Sequence, residues 1–268
     1  MACRNAYKIK TMIEEADVAK ASISQPTVAK TVNRLLFGVD SKIQANDLLQ
    51  NNIEAFEWVV RNKIYPNFCG RYLTGENALT LGEIQFLHRK GCKIAPIYAA
   101  DGEKQTEAQG KMFARNIDVC ALELGIPEGT AIFLEIGENE KVSCDFMRGF
   151  AKAMMSEGYT PGFKANTDAK FSFDREFSRG MQSDKEIFQK CLIWAVSPTV
   201  KDYNGMTTTH LIHPDRWTPY APSGLKRAEI AVWQYGRDCH PIEDDSGKLV
   251  TFNLDLVRNE QVIIQKMF

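Results

Sequence analysis

Leu35-Leu36-Phe37-Gly38-Val39-Asp40 decides how this chain is read. It is an apolar run too short for a helix, it ends on a carboxylate, and after it the sequence settles into a regular alternation. Short runs of the same kind return at 68–73, 93–98, 131–136, 160–164, 191–196, 230–235 and 250–256, with the first spanning 36–40. Most are rich in β-branched or aromatic residues, the composition of strands buried on both faces. Between the early runs lie amphipathic stretches at 43–62, where Ala55, Phe56, Trp58, Val59 and Val60 supply the apolar face, and at 108–124 and 145–156. Thr80-Leu81-Gly82-Glu83 opens another helix with a capping-box pattern that runs to His88. Gly91, Gly125 and Gly158 stand where helices should stop before the next strand. The stretches 171–187 and 201–216 are irregular, so helices there are predicted to be short or missing.

Strands alternating with helices indicate a parallel α/β fold. An open dinucleotide-binding sheet should carry Gly-x-Gly-x-x-Gly after its first strand. Asp40 is followed instead by Ser41-Lys42-Ile43-Gln44. The prediction is therefore a closed (β/α)8-type TIM barrel over 36–268. Residues 1–35 are predicted to be an N-terminal extension, because a short helix at 9–20 is interrupted by Ser22-Ile23-Ser24-Gln25-Pro26.

Composition narrows the function. Of the 268 residues, 44% are hydrophobic and 25% charged, ordinary for a chain that buries a sizeable core. The net charge of -1, with no basic stripe, argues against nucleic acid and anionic membranes as partners. Seven cysteines without a Cys-x-x-Cys pair argue against a disulfide framework or zinc knuckle and for a reducing compartment. No signal peptide is visible and no stretch approaches the roughly 18 apolar residues of a membrane span. The expectation is a protein cytoplasmic as synthesised that reaches any ligand outside the cell by release or a non-classical route. Its oligomeric state is not legible.

In a barrel, residues at the carboxyl ends of the strands converge on one mouth. Those ends supply Asp40, Arg71 and Tyr72, Tyr98 with Asp101 beyond, Glu135 with Glu138 in its loop, Asn166, Trp194, Trp233-Gln234, and Asn253 with Asp255. Carboxylates serve acid, base or nucleophile work on sugars, and aromatic rings stack on pyranose faces. Other roles stay open: Asp40 as a cap for the next helix, Glu138 in a solvated loop, Trp233 in the core with Gln234 on the opposite face. His210-Leu211-Ile212-His213 is a weak metal pattern that fits loop histidines equally well. There is no Gly-x-Ser-x-Gly or His-Glu-x-x-His, and Cys144 and Cys191 have no histidine partner. No metal or cofactor is expected.

The order of several segments resembles a known family. Phe37-Gly38-Val39-Asp40, Cys69-Gly70-Arg71-Tyr72-Leu73 with Leu79-Thr80-Leu81-Gly82-Glu83, Gly91 through Pro96-Ile97-Tyr98, Leu124-Gly125-Ile126-Pro127-Glu128-Gly129-Thr130, Gly158-Tyr159-Thr160-Pro161-Gly162 and Trp233-Gln234-Tyr235 carry the likeness. They are similar to the domain-of-unknown-function family of glycoside-hydrolase-like barrels, distantly related to the family 25 lysozymes. The resemblance implies a barrel and a peptidoglycan or other polysaccharide ligand. It places Asp40 at the first-strand aspartate and Glu135 at the first acid of the lysozymes' Asp-x-Glu pair. The second position, the lysozymes' general acid, is Gly137, with Glu138 next to it. Asn253-Leu254-Asp255 is similar to their closing Asp-x-Asn with its ends exchanged. Two functions follow as expectations. One is a glycosidase using Asp40 and Glu135 with Glu138 or Asp101 as acid; the other is a non-catalytic carbohydrate-binding barrel.

Overall fold

The structure is a computed structural model and describes residues 35–201, 214, 216–258 and 262–268. The predicted extension over 1–35, apart from Leu35, and the His210/His213 pair lie outside the described residues.

Eight strands close a barrel: β1 Leu35–Ser41, β2 Phe68–Tyr72, β3 Lys93–Tyr98, β4 Ala131–Ile136, β5 Thr160–Ala165, β6 Leu192–Lys201, β7 Val232–Glu243 and β8 Leu249–Arg258. Each falls on one of the eight apolar runs. Neighbours from β1 through β7 pair in parallel, but β8 pairs antiparallel with both β7 and β1. This departs from the all-parallel reading, and the reason is connection length. A parallel return needs a crossover of a dozen or more residues, whereas only Asp244 to Lys248 separates β7 from β8. There the Asp244 carboxylate accepts the Ser246 and Lys248 amides, and Gly247 takes φ 80°, so the chain turns as a hairpin.

The helices are α1 Ala55–Arg61, α2 Leu81–Arg89, α3 Glu107–Leu124, α4 Cys144–Ser156, α5 Ser172–Ser183 and α6 Lys185–Phe188. The helix expected over 43–62 shrinks to α1, because the chain before it forms a two-stranded ladder of Leu48–Leu49 with Ile53–Glu54. Only half of the Thr80 capping box forms. Thr80 accepts the Glu83 amide, but the Glu83 carboxylate is drawn away to Arg71 and the Ala45 amide. The helix predicted to be short or missing near 171–187 is present as α5. Phe173 and Phe177 bury one of its faces, and Phe188 of α6 closes on Phe177 with ring centroids 5.3 Å apart.

The barrel is plugged rather than hollow. Trp194 stands at its centre, fully buried between Phe68 and Phe133, and Gly70 makes room: a Cβ there would lie 2.6 Å from the Trp194 ring and 2.7 Å from Asp40 Cβ. A second glycine lets two helices touch. A Cβ on Gly110 of α3 would collide with the Phe146 carbonyl and lie 2.6 Å from the Phe150 amide of α4. Backbone cannot yield as a flexible side chain can, so Gly110→Val is expected to cost about 1–3 kcal/mol or more, read as a lowered urea midpoint.

Candidate functional site

Strand alternation decides which side chains reach the mouth. Inward positions toward the strand ends carry Asp40 on β1, Tyr72 on β2, Glu135 on β4, Lys164 on β5, Trp194 on β6, Gln234 on β7, and Asn253 and Asp255 on β8. Lys164 ties them together. Its ammonium lies 2.7 Å from Asp40 Oδ1, 3.1 Å from the Tyr72 hydroxyl and 3.3 Å from Glu135 Oε1, and 5.2 Å from the centre of the Trp194 ring. Tyr72 in turn donates to Glu135 Oε1 at 3.0 Å, and Asn253 donates to Asp40 Oδ1 at 3.0 Å. Burial opposes a charge on Lys164, but Asp40 and then Tyr72 and Glu135 outweigh it and hold the ammonium well above its ordinary value. Burial pushes the Tyr72 phenol far above its usual range, so it stays a neutral donor.

Lys164 and Asp40 expose almost nothing, whereas the Glu135 side chain is 28% exposed. The arrangement is a buried acid–lysine floor beneath one accessible carboxylate. Glu135 opens into a cavity of about 250 Å3 whose walls include Glu138, Asn166, Gln234, Arg237 and Asn253. Two more cavities, of about 310 and 280 Å3, share Lys42 and Tyr72 with the first, so the mouth extends as a groove. Asp40 backs the second cavity, although its carboxylate carries no exposed surface. Across the first cavity, Glu138 Oε1 accepts from Arg237 at 2.6 Å and from Asn166 at 2.8 Å.

Several expected site residues lie elsewhere. Arg71 faces outward, one residue out of step with Tyr72, and is locked to Glu83 at 2.6 Å and to the carbonyls of Ser41 and Asn77. Arg71→Lys, which loses the guanidinium fork, is expected to cost about 1–3 kcal/mol in thermal or urea unfolding. Tyr98 faces outward too, against Phe113 of α3. Asp101 is exposed and lines none of these cavities. Trp233 packs outward beside Trp217, its indole donating to the Ser197 carbonyl. It and Trp194 are fully buried, so neither offers a face to a sugar. Gln234 is the inward member of its pair and lines the cavity. Asp255 is buried behind Trp194, whose indole donates to it at 2.9 Å. Gly137 lies against Glu140, whose carboxylate accepts the Gly137 amide at 2.9 Å and pairs with the buried Lys104.

Lys164 and Arg237 were missed by sequence reasoning, whereas Asn253 was among the strand-end residues it named. A lysine inside the apolar run at 160–164, in step with Asn166, was the available signal. Among the described residues, no group of three or more His, Cys, Asp or Glu is placed to hold a metal.

Fold and site together define a TIM-type α/β barrel whose mouth presents a carboxylate on a lysine-bridged floor. The chain belongs to the Rv2525c-like, glycoside hydrolase-like domain family, whose model matches residues 63–246. An uncharacterised B. stearothermophilus protein of known crystal structure is similar over 87% of this chain and 100% of its own, with 26% identity and a TM-score of 0.70. The Clostridium perfringens spore cortex lytic enzyme SleM shares 13% identity over 83% of this chain and 67% of its own, with a TM-score of 0.51. A bacterial lysozyme from Streptomyces coelicolor shares 11% identity over 88% of this chain and 98% of its own, with a TM-score of 0.48. No curated protein matches the chain. No helix among the described residues is long and apolar enough to cross a membrane.

Proposed function

We propose that this barrel is a glycoside hydrolase acting on peptidoglycan or a related polysaccharide, with Glu135 as the carboxylate that faces the scissile bond. The observation that carries this reading is the accessible Glu135 in the first cavity of the groove, joined through Lys164 to the buried Asp40. Both carboxylates touch the same ammonium, so they are no farther apart than 2.7 and 3.3 Å laid end to end. Glu135 Oε1 is occupied by Tyr72 and Lys164; Oε2 accepts no hydrogen bond among the described residues and is the oxygen presented to the sugar. Asp40 does not touch substrate and acts through Lys164. Glu138 is the second carboxyl in the same cavity and faces the leaving group. Gln234, Asn166 and Asn253 supply neutral hydrogen bonds for sugar hydroxyls.

One observation favours a second reading, a carbohydrate-binding barrel without cleavage. Gly137 has no side chain to protonate a leaving group, and Glu138 is engaged by Arg237. Incubation with purified peptidoglycan separates the two. New reducing ends from the wild type and background from Glu135→Gln support the hydrolase. Sedimentation with the glycan but no reducing ends identifies the binding barrel, and equal release by both proteins removes Glu135 from the chemistry.

A further inference from the structure

Beneath the exposed face of the site lies a carboxyl group that the proposed chemistry does not use. Asp255 has no exposed surface. Its Oδ1 takes the Trp194 indole, and its Oδ2 is buried without a donor. Asp40 repeats the pattern: Oδ1 takes Lys164 and Asn253, and Oδ2 is buried without a donor. The strand register sets Asn253 opposite Asp40 and Asp255 opposite Gly38. The two aspartates therefore face inward on adjoining strands two residues out of step, as neighbours that each keep one buried oxygen without a partner. Two acceptor oxygens cannot bond to each other. A buried polar atom left unpaired costs about 1–3 kcal/mol, and more when charged, and carboxyls sharing one site do not both ionise.

We infer that Asp255 is a neutral carboxylic acid in the folded protein, donating its Oδ2 proton to Asp40 Oδ2, and that it positions the Asp40–Lys164–Glu135 chain. One proton satisfies both orphaned oxygens. Every donor then has an acceptor: Trp194 donates to Asp255, Asp255 to Asp40, Lys164 to Asp40, Tyr72 and Glu135, and Tyr72 to Glu135. With Asp255 neutral, one ammonium faces two carboxylates; with it ionised, it would face three. The groups around Asp255 are Asp40 from β1, Lys164 from β5, Trp194 from β6, and Tyr235 and Cys239 from β7. Lys164 is the one cation among them and is already engaged. Burial, followed by Asp40, pushes the Asp255 carboxyl well above its ordinary range, against the opposing pull of Lys164 and the indole.

The protonation state does not depend on the proposed hydrolysis, whereas the positioning of Glu135 rests on it. The test is infrared spectroscopy of the whole protein carrying 13C-labelled aspartate. We expect one label-sensitive carboxylic-acid carbonyl band that persists from mildly acidic to mildly alkaline pH and vanishes in Asp255→Asn. Absence of that band at neutral pH, or its survival in Asp255→Asn, overturns the inference. If the variant does not fold, the labelled wild-type spectrum decides alone. The Asn amide can replace the donated proton, so Asp255→Asn is expected to rescue most of the kcat that Asp255→Leu loses, with KM little changed in both. A loss of unfolding midpoint in Asp255→Leu without loss of kcat would overturn the positioning role. A wild type that releases no reducing ends sinks the hydrolase reading and leaves the infrared result standing.

Discussion

Glu135→Gln is expected to slow release of reducing ends from peptidoglycan by about 10²–10⁴-fold, the span seen when a group acting directly on the reacting atoms is removed. The substitution keeps shape and keeps an oxygen to accept from Tyr72 and Lys164, but it removes the negative charge that would meet the sugar's developing cation. Because the side chain is 28% exposed and Lys164 retains Asp40, the fold should persist. Initial rates at saturating glycan, alongside an unfolding curve within about 0.5 kcal/mol of wild type, separate chemistry from stability. A rate within threefold of wild type would refute the assignment.

Lys164→Met is the variant expected to cost most in stability, about 3–5 kcal/mol. Methionine fills similar space but leaves Asp40 buried with Asn253 as its remaining side-chain donor apart from the Asp255 proton inferred above. A domain holds only about 5–15 kcal/mol in all, so the loss should be plain in a urea midpoint at fixed pH. The double variant Lys164→Met with Asp40→Asn removes both charges and should recover a large part of the loss. A double-mutant cycle measures the coupling; two single losses that simply add would mean the ion pair contributes nothing.

The eight strands were legible because strands buried on both faces leave nearly uninterrupted apolar runs, and these survive any error in the helices between them. The direction of the last strand was not legible, because the apolar runs at 230–235 and 250–256 leave fourteen residues between them, enough for a crossover, and only the extension of β7 to Glu243 shortens the connection to a hairpin. Helix α5 was hidden because Phe173 and Phe177 are embedded among charged residues that dilute the apolar count without disturbing the spacing. At the site, listing strand ends brought in outward residues such as Arg71, Tyr98 and Trp233 along with inward ones. Parity separates them: Tyr72 from Arg71, Gln234 from Trp233. Lys164 escaped because the search was for acids and rings. Its partners come from β1, β2 and β4, and no local pattern in the sequence records a contact made across the barrel.

The reversed last strand also decides which parts of the mouth can change. Around most of the rim, a loop leaves each strand for a helix and can lengthen without disturbing the barrel beneath. Between β7 and β8 the rim is a ribbon whose two edges are themselves staves of the barrel, so an insertion there must either stay at the Asp244–Gly247 tip or shift Gln234, Asn253 and Asp255 together. Divergence in what such barrels recognise should therefore concentrate in the loops after the early strands, with the ribbon side kept as a fixed wall.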